Sequence, residues 1–544
     1  MTETGTRPAD DWWRSAVVYQ VYPRSFADAD GDGTGDLNGI RARLPYLADL
    51  GVDAIWISPW YPSPLLDGGY DVSDYRDINP EFGTLADADA LIAEAHALGL
   101  RILIDLVPNH CSWEHPWFKA ALAAGKGSPE RDLFWFRDGV DGRPPTNWPA
   151  SFGGGAWQQI DDGQWYLHMF DISQPDWNWD HPKVLEEFDS ILRFWFDRGI
   201  DGFRIDVADS MAKDATLPDV PLKDGQPTHE KYVGNPYYDQ PGVHPIHQRW
   251  RAIADEYAGT PQGPRVFVAE AWLSPPERLA KYVRPDELHS AFNFDALRAS
   301  WDAKDLREVI DRSTGSLWAV GAPATWVLSN HDTIRHRTRY GRALEDALEG
   351  AGVVPTDLER GLRRARAAAL LELALPGGAY IYQGDELGLP EVEDLPEEVL
   401  DDPVWERSGH TNRGRDGCRV PIPWSGTEPP YGFGPGDGQP WLPQPADWAP
   451  LTAEAQVGDP NSHHSLYKAA LQIRREHPEL GEGRLTWDED APADVLSFTR
   501  GSFRCVTNLG TAPTTLPPYQ QLLLTSAPVF DGQLASDATA WLTI

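Results

Sequence analysis

The stretch Gly202-Phe-Arg-Ile-Asp206-Val207 decides how this chain of 544 residues folds. Buried parallel strands read as near-continuous Val, Ile, Phe and Ala. An apolar run that stops on a carboxylate therefore has no packing explanation. Two further runs stop in the same way, Val266-Phe-Val-Ala-Glu270 and Thr325-Trp-Val-Leu-Ser329, the latter followed by Asn330-His331-Asp332. The C-terminal ends of barrel strands are where catalytic groups sit. Asp206, Glu270 and Asp332 are accordingly expected to converge on one pocket, and carboxylates grouped there suit the cleavage of glycosidic bonds.

Other strand-like runs lie outward from this stretch. They are Val17–Tyr22, Ala54–Ser58 and Arg101–Val107 before it, and Ala291–Phe294 and Ala379–Gln383 after it, which makes eight in all. Helical stretches alternate with them. From Thr84 to Leu98, for example, apolar residues recur at helical spacing and Gly99 marks the stop. Strand–helix alternation implies right-handed crossovers and a parallel sheet, and eight units imply a closed (β/α)8 TIM barrel. The α/β barrel is expected over residues 1–108 and 176–477. Residues 109–175, rich in Trp, Gly, Pro and Asp, are too long for one crossover and read as an inserted subdomain. Residues 390–450 read as a loop-rich excursion over the barrel mouth. From 478 to 544 short strand-like runs predict a C-terminal antiparallel β domain.

Composition narrows the function classes. A net charge of −36 argues against nucleic acid and anionic membrane surfaces as partners. Three cysteines, Cys111, Cys418 and Cys505, give no disulfide framework and point to a reducing compartment. With no apolar leader at the N-terminus and no run of about 18 apolar residues, a cytoplasmic location is expected. There is no phosphate loop, no Gly-x-Gly-x-x-Gly after a strand and no His-Glu-x-x-His, so neither a nucleotide cofactor nor catalytic zinc is expected.

Arg204 lies two residues before Asp206, so both side chains point to the barrel interior. A neighbouring guanidinium favours an anionic Asp206 as nucleophile. Glu270 has no adjacent cation in sequence, which suits a general acid with a raised pKa. A second pattern is Asp28-Ala-Asp30-Gly-Asp32-Gly-Thr34-Gly-Asp36, with oxygens at positions 1, 3, 5, 7 and 9 as at the start of a calcium loop. Position 12 is Gly39 and not Glu, so the pattern is no EF-hand.

Taken together, Asp105-Leu-Val-Pro-Asn-His110, Gly202–Asp206, Ala269-Glu270 and Asn330-His-Asp332 resemble the ordered motifs of glycoside hydrolase family 13, the α-amylase family. Tyr22-Pro-Arg-Ser-Phe26, Gln174-Pro-Asp-Trp-Asn178 and Gln383-Gly-Asp-Glu386 resemble its oligo-1,6-glucosidase and α-glucosidase branch, with the strongest likeness to actinobacterial α-glucosidases. The resemblance implies Asp206 as nucleophile, Glu270 as acid/base and Asp332 as transition-state stabiliser. It implies His110 and His331 as ligands of sugar hydroxyls and Tyr70 as a stacking platform. Asp71 and Arg419 would close the pocket behind the terminal glucose, and Asp105 would have an orienting role. The loop from Asp28 to Asp36 would hold a structural Ca2+, with Thr34 giving its backbone oxygen. The expected function is a retaining, exo-acting α-glucosidase acting on small α-glucosides. The alternatives are an oligo-1,6-glucosidase or a transglycosylase or isomerase of the same fold, such as a trehalose synthase. Inactive transporter heavy chains of the family are set aside, because no span is present and the carboxylates are intact. In the branch, Val after the nucleophile accompanies α-1,6 activity, but the actinobacterial enzymes share it, so Val207 leaves α-1,4 cleavage with some breadth as the expectation.

Overall fold

The computed structural model describes residues 9–343, 354–436 and 438–544. Its centre is an eight-stranded parallel sheet built from Val17–Val21, Ala54–Ile57, Arg101–Leu106, Gly202–Ile205, Val266–Ala269, Ser290–Ala291, Thr325–Val327 and Gly378–Tyr382. Each strand pairs with the next except the sixth with the seventh, and the eighth returns to the first in the register Val17↔Ala379. Between the sixth and seventh strands, Asn293 N donates to Thr325 O at 3.3 Å. The sheet is a nearly closed TIM barrel.

Strand residues alternate between two environments. Leu103, Trp56, Val268, Phe292 and Tyr380 fill the interior, while Ile102, Ile104, Phe203, Ile205 and Phe267 pack outward on the helices. This alternation turns Asp105, Arg204 and Asp206 inward. The sixth strand is shorter than the sequence suggests. Asn293 accepts from Ala296 N and caps a helix over Phe294–Arg298, so side-chain capping outcompetes strand propensity there.

Helix boundaries follow capping chemistry. Asp36 accepts from Gly39 N to start Leu37–Leu50, which ends at Gly51 with φ 100°. Thr84 and Asp87 form a reciprocal capping box at the start of Leu85–Ala97. Pro182–Arg198 buries Val184, Phe188, Ile191, Leu192 and Trp195 along one face, the stripe expected of a helix packed on a sheet.

Between the third and fourth barrel strands, Phe136–Asp138, Gln164–Leu167 and Trp157–Gln159 form an antiparallel sheet in that spatial order. Its apolar face does not pack alone. Trp135, Trp148 and Trp157 share a cluster with Val220, Tyr237 and Tyr238, which come from the long connection after the fourth strand. Two segments therefore build the roof, where the sequence suggested one. The C-terminal part is a five-stranded antiparallel sheet within residues 486–543. It docks on the helix Leu358–Ala374, with Trp541 Nε1 donating to Leu370 O at 3.0 Å. No helix among the described residues is long and apolar enough to cross a membrane.

Candidate active site

Arg204 is the centre of the site. Its guanidinium is buried at the end of the fourth strand and donates to Asp105 Oδ1 and Asp206 Oδ1, each at 2.7 Å. Its other terminal nitrogen lies 3.6 Å from Glu270 Oε2. Trp56 Nε1 at 2.9 Å and Tyr70 Oη at 3.1 Å also donate to Asp105, which burial pushes up to about 6 against the pull of Arg204. Asp105 thus fixes the arginine that faces both strand-end carboxylates.

Burial raises Asp206 and Glu270 above the ordinary carboxylate range, and Arg204 opposes the rise in both. The two titrate as a pair. The guanidinium is in hydrogen-bond contact with Asp206 and further from Glu270, so it favours the anion more strongly on Asp206. Glu270 Oε2 also accepts from Val207 N at 2.6 Å. Val207 adopts φ 36°, a conformation that β-branched residues avoid. Strain of about 1–3 kcal/mol is the usual cost of such a residue, and here it aims an N–H at the acid.

Asp332 is held by a different set. Arg415 Nη1 donates to it at 2.9 Å and Arg419 Nη2 at 3.2 Å, and His331 Nε2 lies 3.3 Å away. Burial works to raise its pKa but is outweighed by His331 and the two arginines, which hold it far below the usual carboxylate range. Burial lowers His331 to about 3, so the imidazole is neutral and the guanidiniums carry this effect. His331 stacks on Tyr70 with centroids 5.2 Å apart and planes 1° apart. On the opposite side of the barrel mouth, burial lowers His110 to about 3 as well. Asn109 Nδ2 lies 3.1 Å from His110 Nδ1, and Lys213 ties Asn109 to Asp176, just past the inserted segment, through contacts of 2.6 and 2.8 Å.

Of these groups, Tyr70, His110, Asp206, Glu270, Asp332 and Arg415 line a cavity of about 240 Å³ together with Asp67, Ser151, Phe152, Phe170, Lys231 and Trp272, while Arg204, His331 and Arg419 are not part of its lining. An adjoining cavity of about 400 Å³ shares Trp272, Asp332 and Arg415 with it.

Asp71 does not close this pocket. It is fully buried and accepts from Ser63 Oγ at 2.7 Å, Leu66 N at 3.1 Å and Asp67 N at 3.3 Å. Burial pushes it up to about 7. It holds together the turn that presents Asp67. Asp67 forms the closure, with Oδ1 2.8 Å from Arg415 Nη2 and Oδ2 2.9 Å from Gln174 Nε2. The partner is Arg415 and not Arg419, whose Nε is turned toward His331 O at 2.9 Å. The sequence does carry the signal, in two aspartates four residues apart around Gly68-Gly69 and two arginines four apart in Arg415-Asp-Gly-Cys-Arg419. Nothing in either pair shows which member faces the cavity. Phe152, Phe170, Lys231 and Trp272 sit in irregular segments and follow no periodicity.

In the Asp28–Asp36 loop, oxygens of Asp28, Asp30 and Asp36 lie within 4.8 Å of one another. This hard, all-oxygen set fits Ca2+. Asp32 falls outside the cluster, its Oδ1 accepting from Thr34 N at 2.7 Å. The loop is clamped by the excursion after the eighth strand, where Asp28 N donates to Phe433 O at 2.9 Å and Trp441 N to Gly33 O at 3.0 Å.

Residues 20–483 match the family model described as alpha amylase, catalytic domain. The chain is 39% identical to a probable alpha-glucosidase of Rhizobium meliloti (strain 1021) over 516 residues, covering 92% of this chain and 89% of that protein. It is 36% identical to an oligo-1,6-glucosidase of Parageobacillus thermoglucosidasius over 527 residues, with 90% and 88% covered. The solved structure of an alpha-glucosyl transfer enzyme, XgtA, superposes with a TM-score of 0.85 at 35% identity, covering 98% of this chain and 99% of the other. With its barrel, its strand-end carboxylates and these relatives, the chain belongs to the α-amylase family of glycoside hydrolases.

Proposed function

We propose that this protein is a retaining, exo-acting α-glucosidase that releases α-glucose from the non-reducing end of small α-glucosides. The carrying observation is Arg204, which contacts Asp206 at 2.7 Å and stands 3.6 Å from Glu270 in a pocket backed by the Asp67–Arg415 pair. In this reading Asp206 attacks the anomeric carbon while Glu270 gives its proton to the departing oxygen. Glu270 then takes a proton from the water that releases the sugar. Asp332 binds the 2- and 3-hydroxyls, His110 and His331 act as neutral hydrogen-bond partners, and Tyr70 is the platform. The Asp67–Arg415 pair takes the hydroxyls furthest from the cleaved bond, which supports removal of one glucose at a time. The adjoining cavity then receives the leaving group. Within the family, we place the chain with the actinobacterial α-glucosidases on motif likeness.

Ca2+ belongs to this proposal as a structural ion held by Asp28, Asp30 and Asp36, with Asp32 and the Thr34 backbone beside it. It takes no part in the chemistry. Three free, buried cysteines support a reducing, cytoplasmic setting. Proton NMR of the first sugar released, recorded before mutarotation, tests the mechanism. α-Glucose is expected, and initial β-glucose would eliminate Asp206 as nucleophile.

A second reading, glucosyl transfer, is favoured by the aromatic roof of Phe152, Phe170 and Tyr238 over the cavity, which would shelter the glucosyl-enzyme from water. The name of the alpha-glucosyl transfer relative points the same way. Product analysis at high maltose separates the readings, because transfer yields oligosaccharides in excess of free glucose.

A further inference from the structure

On the outer ring of the barrel, the helix Val243–Asp255 carries His244 and His247 three residues apart, on one face. Glu287, from the segment leading into the sixth strand, reaches the same point. Its Oε2 lies 2.8 Å from His244 Nδ1 and 3.8 Å from His247 Nδ1. None of the three lines the cavity of the candidate active site.

We propose that His244, His247 and Glu287 form a binding site for a borderline-soft divalent transition-metal ion of the Zn2+ class. Three features support this. The first is the donor set: two imidazoles and one carboxylate give three protein ligands and leave the fourth tetrahedral position to water. Bonds of roughly 2.0–2.1 Å in a tetrahedral site separate ligand atoms by about 3.3 Å, and the two observed distances fall on either side of that.

The second is what an ion pair leaves unexplained. A His244–Glu287 contact accounts for His244 alone. His247 is fully buried, and its Nδ1 stands 3.8 Å from Glu287 Oε2, beyond good hydrogen-bond distance. A buried polar group in that condition is unfavourable, and an ion would satisfy it.

The third is preorganisation. Both imidazoles pack on Tyr282, with centroids 5.2 and 5.4 Å away. Arg284 occupies Oε1 of Glu287, donating from Nε at 2.8 Å, and leaves Oε2 turned to the histidines. Arg251 Nη1 holds the Glu287 carbonyl at 3.2 Å. The ion would replace the proton shared by His244 and Glu287 and join the helix to the segment entering the sixth strand.

The Asp28–Asp36 loop is all-oxygen, so the two sites separate by metal class. The full-length protein, stripped of metal and then saturated with Ca2+, is titrated with Zn2+ by calorimetry and with Co2+ by visible absorption. The wild type should take up one Zn2+ per chain and show the intense ligand-field bands of four-coordinate Co2+. His244 is partly exposed, so His244→Ala should fold normally, keep its hydrolytic activity and bind Zn2+ at least about tenfold more weakly. Glu287→Gln, which keeps the side-chain shape, should lose the Co2+ bands. No Zn2+ uptake by the wild type, or unchanged affinity in His244→Ala, overturns the proposal; the first result would assign the gap between His247 and Glu287 to buried water.

Discussion

The carboxylates of the pocket and those of the Asp28–Asp36 loop are partnered by different means. In the loop, Asp28 accepts from Gly31 N and Gly33 N, Asp30 from Asp32 N, and Asp36 from Ala29 N and Gly39 N. All of these bonds lie within a dozen residues, so the backbone that carries the acids also satisfies them. In the pocket, Asp206, Asp332 and Asp67 depend on Arg204, Arg415 and Arg419, which come from the fourth strand and from the excursion after the eighth. Charges neutralised locally build a rigid turn. Charges neutralised across the barrel remain exposed on one side to a cavity, where a substrate can complete them.

The largest expected effect falls on Glu270, the pocket acid that has no direct arginine hydrogen bond. Glu270→Gln keeps its shape and the contact with Val207 N while removing the proton. A fall in kcat on maltose of about 10²–10⁴ is expected, with little change in melting temperature. A folded variant within tenfold of wild type would place the acid elsewhere.

Next comes the contrast between Asp67 and Asp71. Asp67→Ala removes a charge-assisted contact to the substrate pocket and leaves Arg415 less well neutralised. Hydrogen bonds to charged groups contribute about 1.5–3 kcal/mol, so kcat/KM should fall by roughly 10–10² from that loss, and more from the unpaired charge. Asp71→Asn keeps one acceptor in a position where the acid is already half neutral near pH 7, and it should stay within about fivefold of wild type. Kinetics of the two variants on one disaccharide decide the matter, and a reversed order would restore Asp71 to the pocket.

That contrast marks where the sequence stops being legible. The barrel was readable because strand runs and helical spacing are local, and Asp206, Glu270 and Asp332 were readable because an acid at a strand end has no packing role. Asp67 and Arg415 were not. Each has a chemically identical neighbour four residues away in a segment without periodicity, and only the folded turn shows which one is consumed by the backbone. The roof was half legible for a related reason. The aromatic content of the inserted segment is plain, but its partners Val220, Tyr237 and Tyr238 lie beyond the fourth strand. The sixth strand ended early because Asn293 capped a helix, a local competition that the apolar run concealed.

The coupled carboxylates give a pH test of intermediate size. Burial raises Glu270, so the folded enzyme keeps this proton above the ordinary glutamic acid range, near 4.3, and on the proposed acid role activity should persist upward until that proton is lost. The basic limb of kcat/KM should therefore lie above 4.3 and disappear in Glu270→Gln, measured on an aryl glucoside whose leaving group needs no proton. The same shift destabilises the fold with rising pH: a raised carboxyl is most stabilising below its unfolded pKa, and that contribution is lost as pH climbs through the folded value. A basic limb that survives in Glu270→Gln would assign it to another group.

The smallest effect is expected in the loop, where the acids already have backbone partners. Asp30 is the exposed member of the cluster, and its carboxylate accepts from Asp32 N at 3.2 Å. Asp30→Ala therefore removes a proposed metal ligand with little loss of packing. If Ca2+ binds there, an ion present at a hundred times its dissociation constant stabilises the fold by about 2.7 kcal/mol. In so large a chain this amounts to a rise in melting temperature of a few degrees, present in Ca2+ and absent in chelator. Asp30→Ala should behave in Ca2+ as the wild type does in chelator. Its kcat/KM at low temperature should be unchanged within about twofold, because Asp28 and Asp36 still hold their turn through backbone N–H groups and the loop remains clamped by Phe433 and Trp441. A variant whose melting temperature and calcium response both match wild type would show that the loop is a turn alone. A variant that lost activity while keeping its stability would show that the loop is coupled to the pocket after all, and the comparison between the two sets of acids would fail.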